Sequence, residues 1–413
     1  MADNSTTRSP RLLFLLNNDY GELALAMYFL QGRDLMDSST LLLPPRLFAD
    51  NKDTLPCQTR EYKSIEDIVR LVDTTKPDIV FLFSGYILPN HELLSLELMA
   101  ALVQLLFDRD CKIVTSDPFF GIFSQMGPST ICGPEALRLF ETDIIPDLSW
   151  EYRVNSTCGN LRILEQFAIA SHILRDTIHL YYCCPDPRDE PIEGSAHTAY
   201  FFNPCLVYDE KESSTSDVSQ SGNADSEAAE KPHWLFILGA VDYELQTRLY
   251  GEAECIDMLE KKLNQTLQTG RRFVFLAPNE CVQKLIGRVP ISARKDLLNF
   301  CSFEDFTSLL LKAEYVFYWN LASYSTFLRV INGLPMFMFD GGHLVRHVKP
   351  MSERMAHSYY QNWTPPFLDP DEVLNTETLA ELSKDYKQAT RNILKNLKEL
   401  PSPEQVIKDL LHK

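Results

Sequence analysis

Residues 313–343 read AEYVFYWNLASYSTFLRVINGLPMFMFDGGH. Tyr315–Tyr318 is a continuous apolar run of the kind that forms a parallel strand buried on both faces. The small and hydroxylic residues Ala322, Ser323, Ser325 and Thr326 follow it and open a helix over Ser325–Asn332. Gly333, Leu334 and Pro335 then turn the chain into a second strand, Met336–Phe339, which ends in the loop Asp340–His343. Strand, helix and strand in this order form one crossover unit of a parallel α/β sheet.

The same alternation extends in both directions. Upstream in the second half it predicts strands at Trp234–Leu238, Phe273–Leu276 and Asn299–Ser302, a long helix over about Glu244–Thr269, and a helix at Phe303–Lys312. The first half predicts strands at Leu12–Leu16, Thr40–Leu43, Asp78–Phe83, Lys112–Thr115, His179–Cys183 and Tyr200–Phe202, with helices at Gly21–Gln31, Ile65–Val72, Glu92–Phe107 and Leu161–Arg175. Between the halves, residues 209–232 read DEKESSTSDVSQSGNADSEAAEKP, acidic, serine-rich and nearly devoid of apolar residues. Such a segment cannot bury enough apolar surface to order itself and is expected to be a disordered linker or loop. From Val373 onward two amphipathic helices, broken at Pro401–Pro403, have no strand partners and must pack across an existing surface. The expected division is 1–208, the linker 209–232, 233–372, and terminal helices over 373–413.

With 413 residues, 45% hydrophobic and 23% charged, the chain has material for two ordinary cores. Its 39 Lys and Arg against 57 Asp and Glu give a net charge of −18, which repels nucleic acid and anionic membrane surfaces at long range. A small basic pocket for a phosphate remains compatible with that sum, because a few desolvated cations act locally. The ten Cys show no metal-binding spacing, and adjacent Cys183 and Cys184 read as buried thiols. No run reaches the roughly 18–20 apolar residues that cross a bilayer, and no signal-peptide core precedes Leu12. A soluble protein of the reducing cytosol is expected, and the sequons at Asn4, Asn155, Asn264 and Asn362 are then chance matches.

Ligands of open α/β sheets bind beyond the carboxyl ends of the strands, where helix N-termini present unpaired N–H groups. In the first half these turns are Asn17–Gly21, with Asn18, Asp19 and Tyr20, then Ser84–Tyr86 and Ser116–Gly121. In the second half they are Gly239–Tyr243, with Asp242, then Pro278–Glu280, Asn320–Thr326 and Asp340–His343. The helix start after Tyr318 suits a diphosphate, since exposed N–H groups, the helix dipole and the hydroxyls all favour an anion. Ser325 serves equally well as a plain N-cap.

The stretch from Tyr315 to His343 resembles the nucleotide-sugar signature of the GT-B glycosyltransferases, and the order of elements along the chain is similar to theirs. The resemblance implies two facing, doubly wound Rossmann-like domains, an acceptor-binding first half, a donor-binding second half, and C-terminal helices crossing back to the first domain. It implies a nucleotide-diphosphate sugar as co-substrate and no further cofactor. By position, Ser323, Ser325 and Thr326 would meet the diphosphate, and Gly341, Gly342 and His343 would approach sugar or phosphate from the next loop. Arg346 is an alternative cation, and Gly239 and Asp242 would line the same pocket. Asn17, Asn18, Tyr20, Gly21, Ser84 and Tyr86 would fall on the acceptor side. Where many members carry a Glu that binds the ribose, this sequence has Arg329, which would add a positive charge or point away.

An inverting transfer needs a base for the acceptor hydroxyl, and Asp19 and Asp117 are the candidates; each is equally suited to capping a helix. His91 and His179 rank below them as structural histidines. No GxGxxG at the first turn, no GxxxxGK[ST] and no GxSxG is present, and no metal is indicated. Two other functions fit the same architecture: a nonhydrolysing sugar-nucleotide epimerase, and a catalytically silent binding or scaffold protein.

Overall fold

The computed structural model describes residues 9–90, 93–116, 121, 165–181, 198–208, 233–347 and 351–412. The linker 209–232, Asp117, His91 and the Cys183–Cys184 pair lie outside the described residues.

The chain separates into two compact units. The first holds described residues up to Pro204 together with Asn396 to the C-terminus, and the second runs from Cys205 to Lys395. The first unit contains strands β1 (Leu12–Leu15), β2 (Ser39–Leu43), β3 (Gln58–Glu61), β4 (Ile79–Leu82), β5 (Lys112–Thr115), β6 (Ile178–Tyr181) and β7 (Thr198–Tyr200), in the spatial order β3-β2-β1-β4-β5-β6-β7. Every pairing is parallel. The second unit contains β8 (His233–Ile237), β9 (Arg272–Leu276), β10 (Leu297–Leu298), β11 (Tyr315–Tyr318) and β12 (Met336–Met338), ordered β10-β9-β8-β11-β12 and again wholly parallel. The architecture is α/β with two doubly wound, Rossmann-like sheets.

In both sheets the order reverses beside the first strand of the unit, between β1 and β4 and between β8 and β11. Connections leave these strand pairs toward opposite sides, so a crevice opens at their carboxyl ends. A stacked pair of phenylalanines in direct register pins each reversal point. Phe14 and Phe81 stack at 4.3 Å across β1 and β4, and Phe236 and Phe317 at 4.5 Å across β8 and β11. Such a pair contributes about 0.5–1.5 kcal/mol beyond its buried area. The turns that follow inherit a rigid origin.

Four details depart from the sequence reading. The long helix over Glu244–Thr269 is two helices, Ala240–Tyr250 and Glu252–Gln268, because Gly251 takes φ +87°. The strand expected at Asn299–Ser302 is the two-residue β10 at Leu297–Leu298. Ser302 instead caps the next helix, accepting from Asp305 N at 3.1 Å, and Phe300 is exposed. The edge strand β3, QTRE, alternates between exposed and half-buried residues, so apolar runs did not reveal it. The terminal segment forms three helices, Thr376–Leu382, Tyr386–Leu397 and Pro403–His412. The second of these packs within its own unit, where Thr390 Oγ1 donates to Val330 O at 2.7 Å. The third returns to the first unit: it buries Val406, Ile407 and Leu410, and Lys112 donates to Leu410 O.

Candidate active site

In the second unit, β8 delivers its chain to Gly239, the N-cap of the helix Ala240–Tyr250, with no side chain capping it. β11 delivers its chain to Asn320 and then to Ser323, the N-cap of the helix Tyr324–Ile331, likewise without a side-chain cap. Two helix N-termini therefore flank the β8–β11 crevice, and their partial positive charge favours an anion between them.

Asp242 ties the loops around this crevice together. It is 3% exposed, and its Oδ1 accepts from His343 N at 3.0 Å and from His343 Nδ1 at 2.8 Å, while Oδ2 accepts from Asn320 Nδ2 at 3.0 Å. A carboxylate only accepts, so Nδ1 carries the proton and Nε2 is the ring atom left for a ligand. The His343 side chain keeps 26% of its surface exposed. Asn320 Oδ1 also accepts from Ala322 N at 2.9 Å and so shapes the turn.

The loop carrying His343 has a second buried anchor in Asp340, whose two oxygens take Arg346 Nε and Nη2, each at 2.7 Å. Gly342 N and Gln246 Nε2 complete its shell at 2.8 and 2.9 Å. Gly342 is required here: its φ is +85°, and a Cβ would lie 2.7 Å from Asn320 Cα. A Cβ on Gly341 would stand 3.0 Å from Val345 Cγ1, and one on Gly239 would stand 3.2 Å from Asp242 Oδ2. Gly239 lets its turn close on Asp242, and Gly342 lets the loop carrying His343 close on Asn320.

Three of the donor residues expected from sequence are committed elsewhere. Arg329 is wholly buried, with Nη1 donating to Leu310 O at 2.7 Å and Ala313 O at 2.9 Å and Nη2 to Glu314 O and Pro335 O. It neutralises the carbonyl end of the helix Phe303–Lys312 from inside the unit, and burial pulls its pKa down to about 10. It cannot reach a ribose. Thr326 is also fully buried, its hydroxyl shared between Ser323 O at 2.6 Å and Tyr360 Oη at 2.9 Å, so it closes the floor and does not meet phosphate. Arg346 keeps its charge but shares it with Asp340, so it contributes shape and two paired N–H groups more than net positive charge. Ser325 is 5% exposed and accepts from Tyr318 Oη at 3.0 Å, with Ser323 Oγ 2.8 Å away. Of Ser323, Ser325 and Thr326, only Ser323 is partly open.

In the first unit, Asn17 Oδ1 accepts from Asp19 N at 3.0 Å, and Asp19 Oδ1 caps the helix Tyr20–Leu30 by accepting from Gly21 N at 2.6 Å. Asn18 and Asp19 are exposed. Tyr20 hydrogen-bonds Asp50, with Arg46 over its ring at 6.0 Å. Tyr86, expected on the acceptor side, is 1% exposed and bonds His179 Nε2 at 3.0 Å. Burial drops the His179 pKa to about 4, which keeps the imidazole neutral, so this pair belongs to the core. Ser84 is fully buried at φ +48°, with its N–H on Ser116 Oγ at 2.9 Å.

From the sequence, Asn320 and Asp340 stand only as the first residues of two turns, without a role, and Gln246 and Glu22 are not singled out. Asp340 had a signal, a lone acid between the apolar MFMF run and two glycines. Glu22 had another, as the one charge in the otherwise apolar helix YGELALAMYFL.

No family model and no curated protein matches the sequence. The fold does match solved structures. Phytolacca americana UGT2, complexed with UDP-2fluoro-glucose and pterostilbene, superposes with TM-score 0.56 at 9% identity over 97% of this chain and 98% of its own. A UDP-glucose:anthocyanidin 3-O-glucosyltransferase in complex with UDP gives 0.55 at 8% identity over 98% and 99%. Os79 of O. sativa, in complex with UDP, gives 0.50 at 13% identity over 97% and 99%. The chain has the GT-B glycosyltransferase fold.

Proposed function

We propose that this protein is a glycosyltransferase that moves a sugar from a nucleotide-diphosphate donor to a hydroxyl acceptor with inversion. The observation that carries the reading is the Asp242–His343 pair at the β8–β11 crevice. A buried carboxylate holds the ring through Nδ1 beside the crevice that two uncapped helix N-termini flank, and the imidazolium form, with a proton on Nε2 as well, would donate to an anion there. That arrangement meets the charge that develops on a departing diphosphate, a charge weaker in the bound donor than in the transition state. The Gly239 and Gly341 turns would bring backbone N–H groups close, Ser323 would add a hydroxyl, Gly342 keeps its N–H on Asp340 and shapes the loop, and no metal is invoked. In the first unit the turn Asn17–Gly21 with Ser84 lines the acceptor side, and an acidic group there takes the hydroxyl proton. Asp19 is the described candidate from sequence, and Asp117 lies outside the described residues. We place the protein in the cytosol. Among the described residues no helix is long and apolar enough to cross a membrane.

Titration with UDP, TDP and their sugars, followed by thermal unfolding, tests the donor site. A ligand present at 100 times its Kd raises stability by about 2.7 kcal/mol, which is several degrees in Tm. If no nucleoside diphosphate moves the transition, the donor site is disproved. A catalytically silent binding protein is the second reading. It is favoured by the commitment of Arg329 to carbonyls and of Arg346 to Asp340, and nucleotide binding without sugar transfer to any hydroxyl compound would establish it.

A further inference from the structure

The first unit carries a buried group that the reading above leaves unused. Glu22 lies in the first turn of the helix Tyr20–Leu30, which follows β1, and only 4% of its surface is exposed. Among the described residues its Oε2 has no hydrogen-bond partner of normal geometry, and the Ser84 hydroxyl is the side-chain donor that bears on the carboxyl. Packing does not account for a carboxyl there, because the helix buries Leu23, Leu25, Ala26, Met27, Tyr28, Phe29 and Leu30 and an apolar side chain would leave no oxygen unpaired.

Ser84, in the turn after β4, brings its hydroxyl to the Glu22 carboxyl. A serine at φ +48° occupies the left-handed region that ordinary residues avoid, and its N–H bond to Ser116 Oγ fixes it to the turn after β5. Gly85 next to it packs so closely that a Cβ would stand 2.4 Å from Thr115 Oγ1. Strained backbone held by tight surroundings concentrates at ligand sites. The polar side chains therefore gather at the carboxyl ends of β1 and β4, the reversal point of this sheet.

The chemistry of Glu22 suits proton exchange near neutrality. Burial is the largest influence and Asp19 from the preceding turn the second; together they push its pKa up to about 8, against a smaller opposing effect of the Ser84 hydroxyl. A base of that strength is matched to taking a proton at mildly alkaline pH.

We infer that Glu22 is the proton acceptor for a hydroxyl-bearing ligand at the carboxyl ends of β1 and β4, reached directly or through one water. The inference rests on the transfer reading above and replaces Asp19 as the base. The acceptor O–H bond breaks and its proton passes to Glu22 Oε2. The freed electron pair forms the bond to the anomeric carbon, and the bond from that carbon to the diphosphate breaks with its pair on the leaving oxygen. Asp19, exposed and engaged with Gly21 N, remains the helix cap whose charge tunes Glu22.

The test measures UDP release from UDP-glucose, with simple phenols as acceptors, between about pH 6 and 10, alongside calorimetric UDP binding. Wild-type release is expected to rise through about pH 8, the range in which Glu22 loses its proton. Glu22→Gln should lower the rate roughly 10²- to 10⁴-fold with UDP affinity unchanged. Glu22→Asp, which keeps the carboxyl and serves if the Gln variant fails to fold, should retain the alkaline rise at a reduced rate. An unchanged Glu22→Gln rate, a wild-type profile flat across about pH 8, or UDP binding without any release would each overturn the inference alone. Absence of UDP and TDP binding would instead remove the donor reading, and this inference with it.

Discussion

Replacing Glu22 with Gln changes how stability depends on pH, independently of any substrate. The carboxyl titrates near its ordinary 4.5 in the unfolded chain and near about 8 in the folded one. Between those values the folded state holds a proton that the unfolded state has released. The wild type therefore keeps the full contribution of Glu22 below pH 4.5, loses it progressively as pH rises to about 8, and loses nothing further above. The slope is about 1.4 kcal/mol per pH unit, so the whole interval is worth at most about 5 kcal/mol, and roughly half that if the surroundings relax around the charge. Glu22→Gln has no such slope. The difference between the two proteins isolates this group, because every other titration is common to both. With the relaxed half and about 2–4 °C per kcal/mol, the wild type should lose roughly 5–10 °C of Tm relative to the variant between about pH 5 and 9. Differential scanning fluorimetry in matched buffers measures it. A difference that stays constant over that range would show that Glu22 titrates alike in both states and would refute the burial argument.

Arg329→Met should cost about 3–5 kcal/mol in denaturant titration, because four carbonyls lose the guanidinium that donates to them, yet leave nucleotide affinity in the surviving folded protein unchanged. Arg329→Glu should fail to fold, since it places a carboxylate among those carbonyls; a folded variant with tighter nucleotide binding would reverse that assignment. Asp242→Asn breaks charge-assisted bonds that hold His343, and calorimetry should show UDP bound about 10- to 100-fold more weakly, equivalent to about 1.5–3 kcal/mol. Gly342→Ala forces a side chain at φ +85° against Asn320 and should lower both Tm and donor affinity, whereas Ser323→Ala should reduce affinity with Tm nearly unchanged.

The strands around both reversal points were legible in the sequence, because strands buried on both faces read as unbroken apolar runs: Leu12–Leu15, Ile79–Leu82 and Tyr315–Tyr318 admit little else. The close backbone approach at Gly342 was legible too, since a double glycine after a buried strand signals it, and Gly342 stands against the Asn320 backbone. β3 was not, because an edge strand half in water carries no apolar run. Nor was the fate of Arg329, Thr326 and Tyr86. Spacing places each beside a strand end, but whether a side chain turns toward a ligand or inward depends on what packs over it. Tyr360, from the segment beyond β12, closes over Thr326, and the carbonyls ending the helix Phe303–Lys312 draw Arg329 inward. Asp242 meets His343 from 101 positions away, and Glu22 lies under the turns of strands β1 and β4, which are distant in sequence. Local pattern fixes which face of an element is apolar, whereas the partners of a buried polar group are chosen by long-range closure of the sheet, which no window of sequence contains.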